Sequence, residues 1–411
     1  RDRSGERLQT VGEHVQASAD DDPDLLGLAP QVAKTVFEAL MVISGRGTTI
    51  LLVEQNAGLA LRIARHAAIL ESGRVVLQAI SVALLALVLA TELVGTTVSL
   101  LNFSPTFIYV IFWLGVVILV VVLGNVWAAL NPWRAAADAV SWLRERSGFA
   151  WEPPLAYPAR LGRWPAAILL LAFAALELAY TEPANPRVLA LAIYLYSAVT
   201  WLAMLAFGRA VWLANGEAFS VYFEFLSRLS PFAVHEEAGR RRIVVRPPLV
   251  GVSIRDPRPG TVAFVAVMLG AVAFDGFSRT TWWQDRLYDL TSGLAADSPE
   301  LADVVRTLVN VAGLIAVVGA VALAFTAAVR AAERLAGTDR RLGGEFAASL
   351  IPIALAYVVA HYFSLLVVQG QYIVPLASDP FGFGWDLFGT ADFRPNIGLL
   401  PPNLVWYVQV G

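Results

Sequence analysis

The chain has 411 residues, is 57% hydrophobic and only 15% charged, and has a mean hydropathy of +0.62, against about 25% charged for a soluble globular domain. A soluble enzyme is therefore not expected, and a net charge of −3 leaves no global basic surface for nucleic acid. The absence of cysteine and the presence of only His14, His66, His235 and His361 exclude disulfides, thiolate metal sites and any site built from many imidazoles.

In chain order, residues 1–77 read as a soluble, cytoplasmic α/β segment, without a basic n-region and so without a cleavable secretory signal. The chain opens at Arg1 and closes inside the apolar run Asn403–Gly411, the pattern of a fragment or a processed chain. Gly27-Leu-Ala-Pro30, Phe37-Glu-Ala-Leu40, Gly47-Thr-Thr-Ile-Leu-Leu-Val-Glu-Gln-Asn56 and Ile69-Leu-Glu-Ser-Gly-Arg-Val-Val-Leu77 resemble the C-terminal end of the ATP-binding subunit of branched-chain amino acid ABC transporters. The resemblance implies a buried strand at Thr48–Val53, Gln55 at the switch position and a terminal hairpin at Ile69–Leu77. No G-x-x-x-x-G-K-[ST] occurs anywhere in the chain, so the backbone amides and lysine that cradle phosphates are missing. The segment reads as a remnant of an ABC ATPase, a fusion or an assembly artefact, and no ATP chemistry is expected of it.

From residue 78 onward the pattern is that of an all-α polytopic membrane protein. Seven apolar runs match the length of the hydrocarbon core: Ala79–Leu100, Thr106–Gly124, Trp164–Tyr180, Val188–Phe207, Thr261–Phe277, Val305–Val329 and Phe346–Val368, with a truncated eighth at 404–411. Arginines crowd alternate loops, at Arg134–Arg163, Arg209–Arg258 and Arg330–Arg341, whereas the intervening loops are neutral or acidic. The arginine-rich side and the N-terminal segment are thus expected in the cytoplasm. Lys34 is the only lysine, a bias that suggests a GC-rich bacterial source and hence the bacterial plasma membrane. Asn131–Arg146 reads as an interfacial helix whose Trp133, Val140, Trp142 and Leu143 dip toward lipid, or as an ordinary connecting helix. In Val234–Pro259 a small hairpin is expected from Val244–Val245 and Leu249–Val252.

Ionisable residues inside spans are costly and are functional candidates by default. Glu92, Glu177, Asp275 and His361 all fall in the outer halves of their spans and are expected to converge on one outward-facing polar cavity, roofed by Asp379, Asp386 and Asp392. Tyr357, His361 and Ser364 share one helical stripe. Quieter roles stand beside these: an intrahelical ion pair from Asp275 to Arg279 next to Trp282 and Trp283 of an aromatic belt, snorkelling for Glu92 and Glu177, and helix packing for His361. Asn102, Asn125 and Asn131 read as caps and turns.

Asn102-Phe-Ser-Pro-Thr-Phe-Ile-Tyr-Val-Ile-Phe-Trp113, Asn131-Pro-Trp-Arg134, Phe274-Asp-Gly-Phe-Ser-Arg-Thr-Thr-Trp-Trp283, Ala360-His-Tyr-Phe-Ser364 and Asp379-Pro-Phe-Gly-Phe-Gly-Trp-Asp-Leu-Phe-Gly-Thr390 resemble an actinobacterial family of polytopic membrane proteins named fenitrothion hydrolase. The resemblance implies hydrolysis of a small hydrophobic organophosphate triester at the membrane. With one intramembrane histidine available, any metal site would be mostly carboxylate, drawn from Asp275, Glu92, Glu177 or the Asp379/Asp386 pair, so a hard divalent ion, Mg, Mn or Ca, is expected, with Asp275 and His361 as the candidate ligands. The catalytic set is then His361, Asp275, Arg279, Glu177 and Glu92, with Tyr357, Ser364, Trp282, Trp283, Asp379 and Asp386 lining the substrate site. The competing readings are a proton- or cation-coupled transporter and a membrane scaffold without turnover.

Overall fold

The computed structural model describes residues 72–148, 151–237, 240–253, 257–338 and 342–410. The chain divides into Arg1–Ser72 and Gly73–Gly411. The expectations at Gly27–Pro30, Thr48–Val53 and Gln55 therefore lie outside the described residues. The expected hairpin at Ile69–Leu77 is corrected where it is described: Ser72–Leu77 is helical and opens the first long helix.

The second unit is a helical bundle. In chain order its elements are α1 (Ser72–Val94), α2 (Phe103–Leu123), α3 (Pro132–Arg146), α4 (Trp164–Leu178), α5 (Pro186–Phe207), α6 (Arg209–Asn215) and α7 (Ala218–Ser227). A two-stranded hairpin follows, β1 (Phe232–Glu237) with β2 (Arg240–Val245), and then α8 (Thr261–Ser278), α9 (Thr281–Asp297), α10 (Pro299–Leu335), α11 (Leu350–Gln369) and α12 (Pro402–Val410).

Six stretches among the described residues are long and apolar enough to cross a membrane: Val75–Val94, Phe103–Leu123, Pro186–Phe207, Thr261–Ser278, Pro299–Leu335 and Gly343–Ser378. The third expected span, α4, has only 15 helical residues, about 22 Å at 1.5 Å per residue and short of the roughly 30 Å core. α10 is the opposite case, with 37 residues or about 55 Å. The acidic segment expected as an outer loop is instead α9 and the first turns of α10, which pack together.

α2 is not uniform. Asn102 caps it by accepting from the Ser104 amide (3.0 Å), and Phe107–Gly115 runs as a π-helix before α-geometry resumes at Val116. The widened turns carry Tyr109, Phe112 and Trp113, and π-segments of this kind favour functional regions.

Two segments expected outside the bundle fold back into it. After Leu123 the chain turns at Gly124 (φ +87°), and Trp127 packs at 5.3 Å on Phe112, from the middle of α2. Asn131 then caps α3 by accepting from the Arg134 amide (2.9 Å). Trp133, expected in lipid, is only 6% exposed. Its indole donates to Ser197 in the middle of α5 (2.8 Å), because an indole N–H gains more from a buried hydroxyl than from hydrocarbon. Val140, Trp142 and Leu143 do stay exposed.

The second such segment, α6–α7, lies in what the arginine pattern assigns to a loop. α7 is buried along almost its whole length, with Phe219 at the centre of an aromatic cluster. Phe219 meets Phe112 at 4.9 Å, Tyr196 at 5.3 Å, Phe173 at 5.4 Å and Trp133 at 6.2 Å. The basic hairpin also differs from expectation. β2 pairs antiparallel with β1 in the register Phe232↔Val245 to Glu237↔Arg240, and Val250–Val252 is a 3-10 turn rather than a strand.

α8 lies at the middle of the bundle, against α4, α10 and α11. Its approach to α10 depends on Gly270, where an added Cβ would lie 2.7 Å from Val318 Cα, whereas at Gly276 it would meet nothing within 4 Å. Gly270→Ala is expected to wedge the two helices apart and cost about 1–3 kcal/mol. Thermal unfolding in detergent checks this, with Gly276→Ala as the neutral companion.

Candidate functional site

The carboxylate of Asp275 sits in the last turns of α8 and is 3% exposed. Its Oδ2 is 2.8 Å from His361 Nε2 and accepts from the Tyr362 hydroxyl at 2.9 Å, both on α11. Its Oδ1 accepts from Arg279 Nε at 3.0 Å, one turn further along the chain, where the guanidinium reaches the exposed rim. Three donors from two elements thus meet on one buried carboxylate. The imidazole and phenol rings stand edge to face at 4.7 Å, which fixes the imidazole plane.

Beside this cluster is a cavity of about 20 Å³ among Trp113, Glu177, Tyr222, Met268, Val358 and Tyr362. That volume holds about one water molecule. Glu177, near the end of α4, projects to this cavity and lies within electrostatic reach of Asp275. The π-segment of α2 and the buried α7 therefore both contribute a wall, through Trp113 and Tyr222, whose rings stack at 4.8 Å.

Glu92 does not join this group. It is fully buried where α1 meets the start of α2, Oε1 accepts from Ser104 Oγ at 2.9 Å, and Oε2 takes no hydrogen bond from the protein. Arg187 donates to its backbone carbonyl. The acids expected to share one cavity thus form two clusters, with Tyr109 within electrostatic reach of both Glu92 and Glu177.

Asp379 and Asp386 organise their own loop. Asp379 accepts from the amides of Phe383 (2.9 Å) and Gly384 (2.7 Å), and Asp386 accepts from Ser378 Oγ (2.8 Å) and the Ala391 amide (3.0 Å). The loop is strapped over the α1–α2 connection by Thr96 N to Phe381 O and Phe103 N to Pro380 O, so it covers the Glu92 cluster rather than Asp275. The Ala391 amide and then the Ser378 hydroxyl hold the Asp386 carboxyl below its ordinary value. A depressed value means the ionised form is favoured in the folded loop. The contribution is present above the ordinary carboxylate range and is lost as pH falls through the lowered value. Loop amides at Gly389–Ala391 are therefore expected to keep their hydrogen-exchange protection down to about pH 4, and Asp386→Asn is expected to lose it at neutral pH.

Of the remaining expected residues, Trp283 reaches from α9 to α10, donating to Asn310 Oδ1 at 2.9 Å, and meets Phe274 edge to face and Phe277 at a tilt. Trp282 is 58% and Tyr357 48% exposed. Of the predicted stripe Tyr357, His361 and Ser364, His361 bonds Asp275, and the other two hydrogen bonds to it come from Tyr362 and Arg279.

Both oxygens of Asp275 are occupied by donors, one of them a guanidinium, and no group of three His, Cys, Asp or Glu able to hold a metal occurs among the described residues. A divalent Mg, Mn or Ca, which takes about six or more oxygen ligands, does not fit this donor set.

Sequence reasoning missed Glu217, which is 0% exposed at the N-terminus of α7. Oε1 accepts from the Phe219 amide (3.0 Å) and from the Tyr196 hydroxyl, and Oε2 accepts from the Ser220 amide (2.8 Å) and Asn131 Nδ2 (2.9 Å). It ties the two inward-folding segments together. The sequence signal was Asn215-Gly-Glu217 ahead of an aromatic run, a capping pattern.

The chain is similar to the high-affinity branched-chain amino acid transport ATP-binding protein BraG of Pseudomonas aeruginosa, at 45% identity over 65 residues, 16% of this chain and 28% of that protein. This chain thus spans less than a third of the length of the relative it matches. No family model and no solved structure matches the chain. What stands is a helical protein of membrane type that carries a partial likeness to an ABC ATP-binding subunit.

Proposed function

We propose that the bundle is a proton- or cation-coupled carrier of a bacterial plasma membrane, with its arginine-rich end in the cytoplasm. The supporting observation is the convergence of His361, Tyr362 and Arg279 on the buried Asp275, since ionisable groups inside a membrane bundle mark ion pathways. His361 is partly exposed, so a proton arriving from the solvent side can be taken by one ring nitrogen while the other faces Asp275. Asp275 orients the ring and balances the charge. As the outer nitrogen takes a proton, Nε2 would pass its own to Asp275 Oδ2, Asp275 would pass one to the Tyr362 oxygen while that hydroxyl gives its proton to a single water in the cavity, and the water would protonate Glu177.

The fenitrothion hydrolase resemblance offers the second reading. A cavity of about 20 Å³ is far below the roughly 300–1,000 Å³ of small-molecule sites, and this supports a cargo the size of a proton or water over a triester. ATP hydrolysis is not part of the proposal, because the phosphate-binding loop is missing from the sequence.

The test is flux in vesicles containing the full chain, with an imposed pH gradient read by a lumenal dye and triester hydrolysis measured in parallel. Proton flux is expected in wild type, unchanged in Tyr357→Phe and lost in Glu177→Gln. Flux equal to that of empty vesicles, or chelator-sensitive release of phenolate, overturns the reading.

A further inference from the structure

The loop that follows α11 turns its polar groups inward and its apolar groups outward. The span that contains α11 ends at Ser378, and Pro380 and Phe381 are strapped beside two more span ends, where α1 closes at Val94 and α2 opens at Phe103. The loop therefore starts where three spans reach the edge of the hydrocarbon core. Its backbone is largely satisfied from within. Asp379 takes the amides of Phe383 and Gly384, and Asp386 that of Ala391. The Leu387 amide donates to Ser378 O (3.0 Å), the Phe388 amide to Ser378 Oγ (2.9 Å), and Thr390 Oγ1 to Val374 O (3.0 Å). Ser378 itself is fully buried. A loop in water can leave such bonds to solvent, whereas irregular backbone next to lipid has to make them itself.

The outward face is the reverse. Phe383, Trp385, Leu387 and Phe388 are all exposed, Phe388 at 71%, and Asp386 is the only charged residue between Pro380 and Ala391. Phe381, Phe383 and Trp385 pack on one another at 5.3–5.6 Å, with the chain reversing at Gly382 and Gly384, both at positive φ. The tip is thus a preformed aromatic wedge. A face for a soluble protein carries a polar rim, whereas uncharged aromatic rings beside span ends fit the boundary between headgroups and acyl chains. We propose that residues 380–391 form a lipid anchor, which dips Phe383, Trp385, Leu387 and Phe388 into that boundary at the end of the bundle where α1 stops. The inference rests on the chain spanning a membrane and is independent of the transport reading.

The chain has no cysteine, so one introduced cysteine carries a nitroxide at one known place. The test uses the full chain in phosphatidylcholine vesicles and compares collisions of the label with oxygen, which partitions into lipid, and with a water-soluble nickel chelate. Leu387→Cys and Phe388→Cys replace exposed side chains, so the fold is expected to survive both. Both labels are expected to favour oxygen, as is a reference at Leu195→Cys on the exposed face of α5. A label at Asp297→Cys, at the exposed end of α9, is expected to favour nickel. A preference for nickel at both loop positions overturns the proposal, because the loop then stands in water. Few collisions with either reagent at these positions overturn it too, and assign the tip to a contact with another protein or a second copy of the chain.

Discussion

Asp275→Asn is expected to abolish proton flux while leaving a folded protein of lower stability. The amide is nearly isosteric, so the packing of α8 against α4, α10 and α11 survives. What changes is the acceptor set. Oδ2 now accepts from His361 and Tyr362, and Oδ1 from Arg279, and an amide offers one acceptor oxygen where the carboxylate offers two. Arg279 loses its counter-charge at the rim, where 73% side-chain exposure lets water replace it at small cost. The partly exposed His361 and the buried Tyr362 keep an uncharged acceptor in the amide oxygen and lose only the charge assistance, about 1–2 kcal/mol together. Asp275→Ala removes every acceptor and is expected to cost about 3–5 kcal/mol, the range for breaking a buried charged pair. Thermal unfolding in detergent separates the two variants, and the vesicle flux assay should read zero for both. Flux retained in Asp275→Asn would remove Asp275 from the relay.

An effect on stability as large as that of Asp275→Ala is expected from Glu217→Ala. Four donors from α5, the α3 cap and the first turn of α7 share this carboxylate, and the bonds from Asn131 and the Phe219 amide are buried away from water. Removing it strands them together and withdraws the negative charge from a helix N-terminus, a loss of about 3–5 kcal/mol. Glu217→Gln keeps the shape and one acceptor and should fall between. The readout is the midpoint of thermal unfolding, with proteolysis at Gly124–Leu130 reporting release of the neighbouring segment. Equal midpoints for Glu217→Ala and wild type would show that the junction is held by aromatic packing alone.

The long apolar helices were legible in the sequence because length and hydropathy suffice for them. The inward-folding segments were not, for a physical reason. Between Arg209 and Arg228 the apolar run of α7 has ten residues, too short for a span, so a window set by bilayer thickness assigns it to a loop. Its burial comes from aromatic neighbours contributed by α2, α4 and α5, which local periodicity does not encode. Trp133 misled in a related way, since an amphipathic reading sends a tryptophan to lipid while Ser197, 64 residues away, draws it inward.

Asp275 and His361 were legible from the cost of burying charge in a span, and Arg279 from its i, i+4 spacing to Asp275. Tyr362 was not, because stripe reasoning looks three and four residues along a helix. Here two adjacent positions, about 100° apart on α11, straddle a carboxylate presented by another helix.

The Asn131–Glu217 junction also has a consequence for biogenesis. Its two halves are separated by 86 residues of chain. At about 5–20 residues per second of synthesis, Asn131 is made about 4–17 s before the carboxylate that receives its amide. Through that interval Trp127 can already pack on Phe112 and, once α5 is made, Trp133 can reach Ser197, but the Asn131 amide still lacks its carboxylate. Closure of this junction therefore waits until the first turn of α7 has been made, and a premature stop before Glu217 should leave a nascent chain whose Asn131 amide lacks that partner while Trp133 keeps Ser197.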